Sequence, residues 1–140
     1  VRALKRLAAV STVGVMLVAG VTTPAVAGPV PGNWCSDWKS IGLIDIQACL
    51  TVLSASNNYW AKVRNFDSTN KTVNVVITKI QNGTHITCKT VNNVVVHPND
   101  TWADSCSGSL NNNWTYAALA SVQIGFGGGS AQSPSVTVVF

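Results

Sequence analysis

An all-β chain of about seven or eight short antiparallel strands, packed as a two-layer sandwich and braced by two disulfides, is the architecture this sequence predicts. Three observations predict it. Apolar residues recur with a period of two in several separate runs. Turn-forming Gly, Asn, Asp and Pro punctuate those runs roughly every 8 to 12 residues. Four cysteines, an even number, stand in a chain whose start reads as an export signal.

The chain has 140 residues, 46% of them hydrophobic and 10% charged, with a formal charge of +4. That length admits one domain and excludes a multidomain enzyme. Arg2, Lys5 and Arg6 make a basic start, Leu7 to Val21 is uncharged and apolar or small, and Ala25-Val26-Ala27 is a small-x-small site. Residues 1–27 therefore read as a secretory signal peptide cleaved after Ala27. A transmembrane anchor fits less well. The apolar run is about 15 residues against the roughly 20 that span a bilayer, and Pro24 interrupts its end. Val1, in the place of an initiator Met, fits a bacterial non-AUG start. Cleavage would leave Gly28 to Phe140, with six Lys/Arg, five Asp and no Glu. No basic stripe for nucleic acid and no basis for membrane insertion remain in that part.

Cys35, Cys49, Cys88 and Cys106 all fall after the signal. Four cysteines allow three connectivities. Cys35–Cys49 and Cys88–Cys106 are favoured because each pair is near in sequence, and the crossed pairings stay open. A metal site is not expected, since no C-x-x-C occurs and His85 and His97 lack zinc-ligand spacing.

Gly28 to Asn33 (GPVPGN) opens residues 28–40, read as an extended leader ahead of a sandwich domain over 41–140. In Leu43 to Leu53, Ile44, Ile46, Ala48, Leu50 and Val52 share one wholly apolar face. In Asn58 to Phe66, Tyr59, Ala61 and Val63 face one way, with Trp60, Lys62, Arg64 and Phe66 on the charged side. Thr72 to Gln81 is partly apolar on both faces, as in a central strand or one covered by a loop. Asn82-Gly83 suits the positive φ angles of a type I′ hairpin turn, returning through Thr84 to Val91. Val94 to His97 reads as a further short strand, and the segment from Pro98 to Ser105 as a loop or a sheet edge. Trp114 to Phe126 is the cleanest pattern. Trp114, Tyr116, Ala118, Ala120, Val122, Ile124 and Phe126 fall on one face, with Trp114 the leading core tryptophan. Gly127 to Ser130 reads as a flexible loop and Ser135 to Phe140 as the last strand. This rhythm is that of an immunoglobulin-like antiparallel sandwich.

Catalytic groups are sparse, and no enzyme, cofactor or catalytic residue is expected. Asp100 and Asp104 could form a glycosidase pair, but a solvated, Asp-rich turn explains them better. His97, Asp100 and Ser105 could be written as a triad, yet no G-x-S-x-G supports it. GGGS at 127–130 lacks the Lys and helix of a phosphate-binding loop. Four sequons occur, at Asn70, Asn82, Asn99 and Asn113, and in a bacterial chain they reflect Asn/Thr-rich turns. Trp34, Trp38, Trp60 and Trp102 are the candidate partner-binding residues, with core or loop packing as the competing role.

The signal, the Pro/Gly leader, W-C-x-x-W at 34–38, D-I-Q-A-C-L at 45–50 and V-R-N-F at 63–66 resemble small secreted β-sandwich proteins of actinomycetes. The adaptor subunit of umbrella toxin particles is one such group. The resemblance carries no functional residue over. It implies a secreted, non-enzymatic adaptor that links a lectin subunit to a large polymorphic toxin, with another secreted protein as its partner. Two further readings come from the residues themselves. Exposed tryptophans on one face would mark a carbohydrate-binding module with a glycan ligand. A rigid loop between Cys88 and Cys106 would suit a protease inhibitor.

Overall fold

The computed structural model describes the backbone of Ala25–Ala27 and all of residues 31–140. Residues 1–24 and 28–30, which hold most of the expected signal peptide and the start of the leader, lie outside the described residues. Eleven strands are described. They are β1 (Ala25–Ala27), β2 (Gly32–Cys35), β3 (Lys39–Ile41), β4 (Ile44–Val52), β5 (Ser56–Asn65) and β6 (Lys71–Gln81), followed by β7 (Thr84–Val96), β8 (Thr101–Ser109), β9 (Trp114–Ile124), β10 (Gly127–Gln132) and β11 (Val136–Val139).

They form two facing sheets. One has the order β2-β4-β5-β8, with β3 also paired to β4. The other has the order β1-β11-β9-β6-β7, with β10 also paired to β9. All pairings are antiparallel except that of β1 with β11. The chain makes the β4–β5 hairpin in the first sheet, crosses to make β6–β7 in the second, returns as β8, then crosses again to β9 and β10. This is immunoglobulin-like strand traffic, and one side chain supports it. Tyr116 stands near the start of β9, just after the β8–β9 crossover, and its hydroxyl both accepts from Asn111 N–H and donates to Asn111 C=O. That is the tyrosine corner of such sandwiches.

The period-two reading of β4, β5 and β9 holds. Ile44, Ile46, Ala48, Leu50 and Val52 are fully buried against Tyr59, Ala61 and Val63 of β5 and Val73, Val75 and Ile77 of β6. β6 is a central strand, paired on both sides. Asn82 and Gly83 take φ of 49° and 84°, so the expected I′ turn is present.

Six expectations are corrected. More strands occur than seven or eight because both flanking strands are split. β2 and β3 run along β4, and β10 and β11 along β9. The leader residues of 32–35 and 39–41 are thus sheet strands. Gly127–Ser130 is not a loop. It begins β10, because glycine N–H and C=O groups pair like any others once the Gly125–Phe126 turn sets the register. A Cβ at Gly128 would stand 2.6 Å from Val122 O, so the close approach suits glycine. Residues 84–96 form one strand rather than two. The Asn92-Asn93 irregularity is absorbed as a bulge, with Asn93 at φ 57° and its N–H bonded to Asn74 Oδ1. Phe126 leaves the apolar face, sitting at the turn tip fully exposed. Trp114 is 37% exposed, and Tyr116 is the core aromatic of β9, because Trp114 stands at the end of its strand, past the packed layer.

Candidate interaction surface

Side chains of β4 and β5 that point away from the core build the outer face of the first sheet. Asp45, Gln47, Cys49 and Thr51 come from β4, and Asn58, Trp60, Lys62 and Arg64 from β5. At one end of this face the Arg64 guanidinium lies between two rings, 4.2 Å from the centroid of Trp38 and 4.6 Å from that of Phe66. It also donates to Asp45 Oδ2 at 2.9 Å. The Ser40 hydroxyl donates to Asp45 Oδ1 at 2.7 Å. The Ser40 bond is the main cause that holds the Asp45 carboxyl below its ordinary range; burial opposes it and Arg64 adds to it. Asp45 is therefore ionised at neutral pH and fixes the guanidinium between the rings.

Phe66 is 52% exposed and Leu43 55% exposed. They are neighbours, since Phe66 N–H bonds Leu43 O at 3.0 Å. The result is an aromatic–cation stack with an apolar shoulder, in which the Arg is held rather than free. Such pairs contribute about 0.5–2 kcal/mol each, and Trp and Arg recur among the residues that dominate protein–protein affinity.

The four candidate tryptophans separate by direction. Trp38 belongs to the stack. Trp60 lies on the same outer face, in a recess of about 200 Å³ with Asn33, Cys49, Thr51 and Lys62. Trp34 and Trp102 instead turn inward and pack against the core. The tertiary structure thus brings Trp38 and Trp60 to one face and takes Trp34 and Trp102 away from it. Sequence reasoning missed Phe66, Leu43 and Arg64 as parts of a surface, although the alternation already put Arg64 and Phe66 on the charged side.

Both disulfides form as favoured, Cys35–Cys49 and Cys88–Cys106. The first links directly opposed residues of β2 and β4 on the outer face. The second links β7 of one sheet to β8 of the other, beside the Lys89–Asp104 ion pair at 2.6 Å. Residues 88–106 are mostly strand and do not form the projecting loop of an inhibitor.

The catalytic alternatives scatter. Asp104 is held by Lys89 and by Ser105 N–H, and Asp100 accepts from Thr101 N–H. His97 Nδ1 meets Asn70 Oδ1 at 3.1 Å. Among the described residues no hydrogen bond joins the side chains of His97, Asp100 and Ser105. Groups of three metal-ligating side chains are also absent among the described residues.

No family model matches this sequence, and no curated protein matches it. Some solved structures are similar to it at low identity. The CARDB domain of a Pyrococcus furiosus protein, solved in complex with di-metal ions, is similar over 80% of this chain and 96% of its own, at 14% identity and a TM-score of 0.43. The C-terminal domain of wzt is similar over 81% and 82%, at 14% identity and a TM-score of 0.41. A Bacteroides uniformis beta-glucuronidase is similar over 78% of this chain but 13% of its own, at 13% identity and a TM-score of 0.43.

Proposed function

We propose that this chain is a secreted, non-enzymatic adaptor that holds another secreted protein through the Trp38–Arg64–Phe66 face. The observation that carries the reading is the Arg64 guanidinium clamped between two rings with Phe66 and Leu43 left exposed beside it. With Phe66 and Leu43 exposed beside it, the held guanidinium offers a preorganised anchor to a partner. Two disulfides fit an oxidising, extracellular setting. The resemblance to the adaptor subunit of umbrella toxin particles supplies the partner class, a lectin subunit or a large toxin.

Affinity purification of the tagged protein from culture supernatant of its source, followed by mass spectrometry, tests this. A stoichiometric partner is expected with the wild-type chain. Phe66→Ala and Arg64→Ala are each expected to weaken its capture about tenfold, or roughly 1.4 kcal/mol. A wild-type protein recovered alone, or undiminished capture by both variants, would overturn the reading.

A further inference from the structure

β6 and β8 both end near the start of β5, at the opposite end of that strand from Arg64. They leave an open cleft of about 610 Å³ lined by Ser56, Lys79, Gln81, Ser107, Ser109 and Trp114, with Gly108 and Asn111 completing it. Its hydroxyls and amides can both donate and accept hydrogen bonds.

Three further observations mark it as built for a ligand. Trp114 is 37% exposed, and its backbone is held on both sides. Its residue pairs with Val138, its N–H bonds Asn111 O at 3.3 Å, and Asn111 is itself fixed by the Tyr116 hydroxyl. Lys79 is the one charged residue in the lining, and it forms no ion pair among the described residues. Behind the wall, the Asn57 side chain is wholly buried with both its oxygen and its nitrogen unpartnered. Gly108 and Gln81 of the lining lie close to that amide, as does the Tyr59 ring. A Cβ on Gly108 would lie 2.9 Å from Asn57 Oδ1 and 3.3 Å from Gln81 Nε2.

We propose that this cleft binds a saccharide that carries carboxylate groups. A sugar ring offers an apolar C–H face to an indole and a rim of hydroxyls to Ser, Asn and Gln. Lys79, with no acid beside it in the lining, meets the carboxylate. Gln81, which bonds the Tyr59 hydroxyl at 3.2 Å, places its amide between the buried cluster and the ligand. This site is separate from the Arg64 stack, so the protein can hold a glycan and a protein at once.

The test titrates the intact secreted protein with polygalacturonate, alginate and hyaluronate, with dextran as the neutral polymer, following tryptophan fluorescence and heat. At least one acidic polymer is expected to bind more tightly than dextran. Trp114→Ala is expected to weaken it at least tenfold and Lys79→Gln at least threefold, while Trp60→Ala and Lys62→Gln on the outer face leave it unchanged. Near-ultraviolet circular dichroism and partner capture through the Phe66 face report that the variants remain folded. Binding of none of the acidic polymers, equal binding of dextran, or a loss in Lys62→Gln matching that in Lys79→Gln would overturn the proposal.

Discussion

The Arg64 guanidinium touches Trp38, Phe66 and Asp45 together, so removing any one of them loosens the rest. The carboxyls show the same economy of contacts. Asp67 is held down to about 2, first by the Lys71 ammonium at 2.5 Å, then by the Thr69 hydroxyl and Ser68 N–H. At Asp104 burial pushes upward, but Lys89 and Ser105 N–H overcome it and leave the carboxyl lowered. Asp45 is lowered as well. Carboxyls lowered in the folded state bind protons first in the unfolded chain. Stability from them is full above the ordinary Asp range near pH 4 and is lost as pH falls toward 2. A thermal midpoint that stays flat from pH 7 to about 4.5 and then falls is the expected profile, and Asp67→Asn should shallow that fall. A decline already complete by pH 5 would contradict it.

Asparagine and glycine decide the connections between elements. Three of the four sequon asparagines, Asn82, Asn99 and Asn113, stand at φ of 49°, 58° and 62°. Asn tolerates the left-handed region better than other non-glycine residues, which accounts for its abundance in these turns. Gly83 at φ 84° makes the β6–β7 hairpin. Gly83→Ala is expected to cost about 1–2 kcal/mol in urea denaturation with an unchanged slope. A cost near zero would mean that the turn relaxes to another type. The split edges have a different cause. Ser133-Pro134-Ser135 interrupts the last strand, and there Ser133 lends its hydroxyl to Ala118 N–H and its own N–H to Ala118 O. Period and turn residues made β4, β5, β6 and the I′ turn readable. Gly127–Ser130 was not readable, because glycine carries no side-chain pattern and only the β9 partner makes it a strand.

For the whole molecule, the Cys88–Cys106 bridge is the disulfide that links the two sheets, its ends 18 positions apart in the chain. The Cys35–Cys49 bridge, separated by 14 residues, joins two strands that already pair. Loops of this length make each bridge worth about 3 kcal/mol in the chain-entropy view. The two losses should nevertheless differ in place. Cys88→Ser with Cys106→Ser should speed hydrogen exchange across β7 and β8, whereas Cys35→Ser with Cys49→Ser should confine its effect to residues 32–41 and their β4 partner. Exchange that rises uniformly over the sandwich in the second variant would refute that division.

The all-β class, the inward faces of β4, β5 and β9, the hairpin at Asn82-Gly83 and the favoured cysteine pairs follow from the residues alone, because period, turn chemistry and loop length are local properties. They also set the charged side of β5 that became the stack. Which tryptophans face outward depends on the packing of the two sheets, since alternation gives two faces without saying where a strand end outruns the opposite sheet. Trp34 and Trp102 share their strands' inward parity and pack on the core, whereas Trp114 has the same parity but stands past the packed layer. The cleft beside it draws residues from β5, β6, β8 and β9, a relation between segments far apart in the chain.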